Sequence, residues 1–402
     1  MGNSLLKQAE EGNRTAASKR QILREYILGG NLSITDLSAA LSLSVPTVTR
    51  FISELIEEGF VYDFGKQGTA GGRKPNIYGL NPQAGYYVGV ELRKDSIKMA
   101  VTDFTGEVID LTESDKPLSD GSPESIINLG QSVLKFVSRN EIPREKLLAV
   151  GVNVSGRVNS MTGYSYSYFF TEEQPLAKLL EEELDCTVYV ENDTRAAAYG
   201  EYMHGVGGAA DTMLYVNASW GLGLGMIFNG RPFYGKSGFS GEYGHFPMFD
   251  NEIICRCGKR GCLETEASGS AVHRIFLEKL REGRISMLSD KFERGDDISL
   301  SDILTALQKE DVLAIEVVER VGDTLGKAIA GLINMFNPEL IVIGGAMARA
   351  KDYLSLPVKS AINKYSLRLV SKDTSLKLSN LNEDAGVIGA CLLSRSKSLG
   401  LL

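Results

Sequence analysis

The chain has 402 residues, 43% apolar and 23% charged, with a mean hydropathy of −0.07 and a formal net charge of −8. That length exceeds one simple core, so two or three domains are expected, and no apolar run approaches a membrane span. The acidity excludes a protein that coats nucleic acid over its whole surface, and five cysteines are too few for a disulfide scaffold, so a cytoplasmic globular protein without membrane insertion is expected.

The N-terminus, MGNSLLKQAEEGNRT, lacks the basic-then-apolar layout of a secretory signal. Gly2 suggests myristoylation, but Leu6 stands where Ser or Thr is needed. Residues 1–84 hold nine Lys/Arg against eight Asp/Glu, so the negative balance lies in the remainder. A small, near-neutral head on an acidic body suits local DNA contact through a few placed cations.

Helical periodicity then appears in three pieces. Ile22, Leu23, Tyr26 and Ile27 form one apolar face, and GGN ends that helix. Ile34, Leu37, Ala40 and Leu41 form a second, short helix with Thr35 and Asp36 near its start. SLS makes a tight turn, Pro46 suits a first-turn position, and Val48, Phe51, Ile52, Leu55 and Ile56 mark the buried face of a third helix. This spacing predicts a helix-turn-helix, whose third helix would present Ser44, Pro46, Thr47, Thr49 and Arg50 to DNA. FVYDFGKQGTAGGRKPNIYGL follows as two strands around a Gly-rich loop with Lys66, Arg73 and Lys74, a wing with cations for phosphate contact. A small helical domain that binds protein is the alternative reading of the same pattern.

From Tyr87 the pattern changes to an α/β body. YYVGVELRKDSIKMAVTDFTGEVIDLTE reads as three consecutive strands, SPESIINLGQSVLKFVSRN as an amphipathic helix, and LLAVGVNVSGRV and CTVYVEND as further strands. TMLYVNASWGLGLGMIFNGRPFYG repeats the three-strand start. Two such units predict a duplicated, two-lobed body with a cleft between the lobes, and EDAGVIGACLLSRS is expected to be a helix returning to the first lobe. The expected domains are 1–84 for the winged helix-turn-helix, 85–205 plus 385–402 for the first lobe, and 206–384 for the second, with the oligomerisation surface.

Inside the second lobe lies GEYGHFPMFDNEIICRCGKRGCLE, which gathers His245, Cys255, Cys257 and Cys262. One imidazole and three thiolates make a tetrahedral set for Zn2+, with Gly258 and Gly261 letting the loop fold back. Arg256, Lys259 and Arg260 would offset the thiolate charge. Four protein ligands close the site, so the metal is expected to be structural. A redox pair and unliganded core thiols are the alternatives, and C-x-C lacks the spacing of thioredoxin-like motifs. Cys186 and Cys391, alone in apolar surroundings, are expected in the core.

The string H-x9-C-x-C-G-x-x-G-C-x-E, preceded by E-x-G-H and an upstream E-N-D, resembles the ROK (repressor, open reading frame, kinase) family of sugar kinases and sugar-responsive repressors over almost the whole chain. The resemblance implies an actin/hexokinase-like, ribonuclease H-like duplicated body. The winged helix points to the repressor branch, which includes glucose-, N-acetylglucosamine- and xylose-responsive members and forms homodimers or homotetramers. It places the sugar contacts on Asn192, Asp193, Glu242, His245 and Glu264, with Ser155 and Gly156 adding loop contacts. Carboxylates bind vicinal hydroxyls bidentately, and His245 would hold metal with one ring nitrogen and a hydroxyl with the other.

In the kinase branch the residue matching Asp193 is the general base. The phosphate loops depart from the kinase pattern. Where kinases carry D-x-G-G-T this chain has Glu91-Leu92-Arg93-Lys94-Asp95, and where they carry G-T-G-x-G it has Ser219-Trp220-Gly221-Leu222-Gly223. Gly344 and Gly345 match the adenosine-side glycines. Losing backbone donors to the transferring phosphoryl group removes most of the catalytic stabilisation, so the expectation is a lapsed kinase site. The expected partners are operator DNA, a sugar or sugar-phosphate effector and a second copy of the chain. Control by a regulatory protein and an active kinase with a DNA-binding head remain the alternatives.

Overall fold

Three helices and a small sheet form the head. The computed structural model describes residues 14–66, 75–93, 96–114, 122–167, 174–208 and 210–402. Helix α1 spans Arg14–Gly29, strand β1 Leu32–Ser33, α2 Ile34–Leu41 and α3 Val45–Glu57, followed by β2 Val61–Lys66 and β3 Asn76–Leu80. Ser33 and Asp36 form a capping box that starts α2, and Ser42 in the left-handed region ends it. Ser44 caps α3 through the Thr47 amide, and the chain direction turns by 115° from α2 to α3, as in helix-turn-helix pairs. The strands pair in the order β1-β3-β2. Ile22, Leu23, Tyr26, Leu37, Val48, Phe51, Ile52 and Leu55 are all buried. Two expected core positions are corrected: Ile56 is 38% exposed and Ala40 is exposed, because α3 and the short α2 each bury one narrow stripe.

Behind the head, β4 (Tyr86–Leu92), β5 (Ile97–Asp103) and β6 (Val108–Ser114) form an antiparallel set. Helix α4 (Pro123–Arg139), β7 (Leu147–Val154), β8 (Val158–Asn159), β9 (Tyr164–Ser165), α5 (Leu176–Leu184) and β10 (Thr187–Asn192) follow. The sheet order is β10-β7-β4-β5-β6, with β4, β7 and β10 parallel. Val88, Val90, Val150, Val152, Val188 and Val190 pack with Leu129, Val133 and Leu180 from α4 and α5. Parallel strands buried on both faces read as continuous apolar runs, which is why β7 was legible.

The second unit repeats this plan. It contains α6 (Asp193–His204), β11 (Thr212–Ala218), β12 (Leu222–Phe228), β13 (Arg231–Pro232), α7 (Glu264–Ala267), α8 (Gly269–Arg281), α9 (Ser289–Glu293), α10 (Leu300–Gln308), α11 (Val312–Phe336), β14 (Leu340–Gly344), α12 (Asp352–Tyr365), α13 (Arg368–Ser371) and β15 (Ser375–Leu378). Its sheet runs β13-β12-β11-β14-β15, the same third-second-first-fourth-fifth order as the first, read from the opposite edge, so the duplication expected from the two three-strand starts is present. Leu214, Val216, Ile341 and Ile343 pack against Phe276, Leu304, Leu325, Ile329 and Val358.

The chain divides into Met1–Asn192 with Ala390–Leu402, and Asp193–Gly389. The boundaries expected from sequence fall after residues 205 and 384. Helix α6 groups with the second unit because it lies against β12: a Cβ on Gly225 would collide with that of Ala198. The last helix, α14 (Ala385–Ser398), begins in the second unit and ends in the first. Among the described residues no single helix is long and apolar enough to cross a membrane.

Candidate functional site

The cysteine-histidine loop is built by local backbone pairing. Gly241 takes φ +89°, and a Cβ there would strike the Leu224 carbonyl, so only glycine lets the loop run this close to β12. The next residues, Tyr243–His245, form one 3-10 turn. Pro247 bridges to Cys262 and Ile254 to Arg260, and the amides of Cys255 and Gly258 donate to the Lys259 and Cys255 carbonyls at 2.8 Å each. Gly261 (φ +73°) closes the fold, its carbonyl accepting the Met248 amide at 2.8 Å.

This brings the ligand atoms of His245, Cys255, Cys257 and Cys262 within 4.8 Å of one another. Cys255 Sγ lies 3.5 Å from His245 Nδ1, and Cys257 Sγ lies 3.7 Å from Cys262 Sγ. A tetrahedral ion with bonds of about 2.3 Å to sulfur and about 2.0 Å to nitrogen imposes sulfur–sulfur gaps of about 3.8 Å and sulfur–nitrogen gaps of about 3.5 Å. The donor set therefore fits such an ion. Burial pushes the Cys255 thiol up to about 12 and raises that of Cys262. Burial also opposes ionisation of Cys257, but the Lys259 amide and the two neighbouring thiols hold it below the ordinary value. Three such thiols do not ionise together without a cation.

The expected charge compensation is corrected in part. Arg256 Nε lies 3.2 Å from Glu264, and Arg260 pairs with Glu252, so both cations face carboxylates. Lys259 contributes its backbone to the loop.

Around the cluster, His245 Nε2 faces Glu242 Oε2 at 3.7 Å, too long for a hydrogen bond, with the Glu242 side chain 41% exposed. One ring nitrogen thus faces the sulfurs and the other a solvent-accessible carboxylate. Glu264 is 5% exposed; its Oε2 accepts the Leu222 amide at 3.0 Å and its Oε1 lies near Arg256 and 3.7 Å from Cys255 Sγ. It braces the β11–β12 turn against the loop. Asp193 opens α6, half-buried, with Oδ1 accepting the Thr194 amide at 2.6 Å. In the first unit, Asn192 Nδ2 donates to the Gly156 carbonyl at 2.9 Å, which joins Asn192, Gly156 and the adjacent half-buried Ser155.

The two loops that depart from the kinase pattern are bonded within the protein. Arg93 is held by Glu91 at 3.2 Å and Glu113 at 3.3 Å; Lys94 and Asp95 lie outside the described residues. In the β11–β12 turn the carbonyls of Ser219 and Trp220 accept the α8 amides of Gly269 and Ser270 at 2.7 and 3.0 Å. Trp220 is 51% exposed and packs at 5.2 Å on His273. Ser219 Oγ accepts the Ala346 amide, and a Cβ on Gly345 would strike that Oγ, so Gly345 serves close packing. Cys391 is fully buried, whereas Cys186 is only half-buried.

In the head, Ser44, Pro46, Thr49 and Arg50 are exposed and Thr47 is half-buried. Ser44 Oγ lies 2.7 Å from Thr47 Oγ1, and Thr49 Oγ1 donates to the Val45 carbonyl. Arg50 is 63% exposed and only 3.8 Å from Glu54. Lys66 is exposed at the end of β2, while Arg73 and Lys74 lie outside the described residues. Sequence reading missed exposed Val45, Tyr62 and Phe64, although the alternation of VYDFGK carries the signal for the last two.

The chain thus carries a helix-turn-helix head, a duplicated α/β body, and one histidine and three cysteines that converge in a loop. The ROK family profile matches residues 87–397 and a winged helix-turn-helix DNA-binding profile matches residues 16–62. The chain belongs to the ROK family. It is 34% identical to a glucokinase of Halalkalibacterium halodurans over 76% of this chain and 93% of that protein. It is 27% identical to a xylose repressor of Caldicellulosiruptor bescii over 99% of this chain and 98% of that one. A crystal structure of a ROK family transcriptional regulator, 27% identical, superposes with a TM-score of 0.78 over 92% of this chain and 93% of that chain.

Proposed function

We propose that this protein is a sugar-responsive transcriptional repressor that acts in the cytoplasm as a homodimer or homotetramer. The winged helix reads an operator through Ser44, Pro46, Thr47, Thr49 and Arg50, with Lys66, Arg73 and Lys74 on phosphates. The observation that carries the sugar half is the two-sided placement of His245, with Nδ1 toward the sulfurs and Nε2 toward Glu242. A structural Zn2+ held by His245, Cys255, Cys257 and Cys262 fixes the tautomer, so that Nε2 and Glu242 meet ligand hydroxyls in one arrangement. Asn192, Asp193, Ser155 and Gly156 complete the sugar set, and Glu264 acts by holding the Leu222 turn.

The sugar releases DNA only if it binds the operator-free state more tightly, since equal affinity for both states shifts nothing. The test is operator binding by the metal-loaded protein at fixed salt with and without D-xylose, D-glucose, N-acetyl-D-glucosamine and their phosphates. A sugar that weakens operator binding supports the reading; no effect from any of them refutes it.

A second reading, an active kinase with a DNA-binding head, draws on the glucokinase likeness and on Asp193 at the base position. Against it stands the amide of Leu222, in the loop that departs from the kinase pattern, which already donates to Glu264. ATP-dependent hexose phosphorylation abolished by Asp193→Ala would overturn the preference.

A further inference from the structure

We propose that the Glu191–Lys397 ion pair and the Arg20–Leu399 hydrogen bond form one link through the end of α14, by which a sugar at Asn192 repositions the DNA-reading helix. The inference rests on the sugar-responsive reading and supplies its route. All of its residues lie in one unit.

At the first end, Glu191 is buried just before Asn192, its side chain 3% exposed. Its Oε1 accepts the Ser160 hydroxyl at 2.5 Å and the Asn192 amide at 2.9 Å, and its Oε2 lies 3.0 Å from Lys397 Nζ. The same Asn192 bonds the Gly156 carbonyl through its side chain. A ligand that draws on the Asn192 side chain or peptide therefore changes what Glu191 holds. The Lys397 side chain is 14% exposed and sits 5.8 Å over the Tyr189 ring, so it is packed on β10 rather than left in solvent.

Two residues further on, the Leu399 carbonyl accepts Arg20 Nε at 2.7 Å. Arg20 stands on α1 beside Lys19, whose ammonium is 2.8 Å from Glu54 and 2.6 Å from Glu58 at the end of α3. The contacts thus run from β10 through α14 and α1 to the helix that reads DNA. The end of α14 is braced as well: Arg395 donates to the Thr105 carbonyl and Ser398 Oγ lies 3.2 Å from Tyr87 Oη. A braced helix passes a change at Lys397 onward, where a loose terminus would absorb it. A buried ion pair adds little net stability over apolar residues of equal volume, so its work here is positional.

The experiment uses the full-length, zinc-loaded protein and a duplex selected in vitro on it. Operator affinity is measured by anisotropy and sugar affinity by calorimetry, with D-xylose, D-glucose, N-acetyl-D-glucosamine and D-glucose 6-phosphate as probes. In the wild type the effective sugar weakens operator binding by about 5- to 150-fold, the range of coupled sites. In Lys397→Met and in Arg20→Met that ratio falls to within about twofold of unity, while each affinity measured alone stays within about threefold of wild type. Lys397→Arg, which keeps the charge, restores the ratio. A purely structural role would lower affinities or melting temperature without abolishing the ratio. If Lys397→Met fails to fold, Arg20→Met, at a half-buried position, decides. Variants induced as strongly as the wild type refute the link alone. A wild type that takes no sugar, or takes one without effect on operator affinity, refutes the sugar-responsive reading and the link with it.

Discussion

Replacing Cys257 by serine tests whether a metal shapes the sugar-facing surface. Cys257 supplies a sulfur 3.7 Å from Cys262, and among the described residues no thiol beyond Cys255, Cys257 and Cys262 joins this cluster. Between His245 and Cys262 the chain closes a loop of about 17 residues, and a cross-link over such a loop is worth about 3 kcal/mol. The few backbone pairs inside it, such as Cys255 with Lys259 and Met248 with Gly261, are left to hold it when the ion leaves. Opening is local, so the global melting transition moves little while the loop loses about 100-fold in protection. Hydrogen exchange at the amides of Met248, Cys255, Gly258 and Leu263 reads this directly, with metal content from elemental analysis and sugar affinity from calorimetry. Metal, protection and sugar affinity are expected to fall together. Metal loss with unchanged sugar affinity, or retention of one ion per chain, refutes the scaffold role.

Three further outcomes are expected. Arg50→Ala weakens operator binding and lowers the slope of log affinity against log salt by about 1 if Arg50 meets a phosphate, with sugar affinity unchanged; normal operator binding refutes the assignment of α3. Glu242→Ala gives a repressor that still binds operator but is not induced, because His245 Nε2 loses the carboxylate facing it; full induction moves the ligand elsewhere. Hexose phosphorylation from ATP stays at background, and turnover near the roughly 1–100 s⁻¹ of ordinary kinases refutes the lapsed-site reading.

The histidine-cysteine cluster and the head were legible because their determinants are local. His245, Cys255, Cys257 and Cys262 fall within one loop, and the stripes of α1 and α3 repeat at helical spacing. The repeated three-strand start announced two sheets of one order. Other features were not legible at that range. Glu264, expected among the sugar contacts from its motif, also gives its Oε2 to the Leu222 amide, 42 residues away. Arg256 and Arg260 looked like counter-charges for thiolates, and both face carboxylates.

Residue order alone determined the winged helix, the duplicated body and the gathering of one histidine and three cysteines, since each follows from periodicity or spacing over a few turns of chain. Only tertiary structure decided that Glu191 meets Lys397 across 206 residues and that Arg20 meets the Leu399 carbonyl across 379. Such pairs have no period and no motif. They form because sheet packing carries β10, α14 and α1 to the same place, and the side chains then settle on whichever partners that packing supplies.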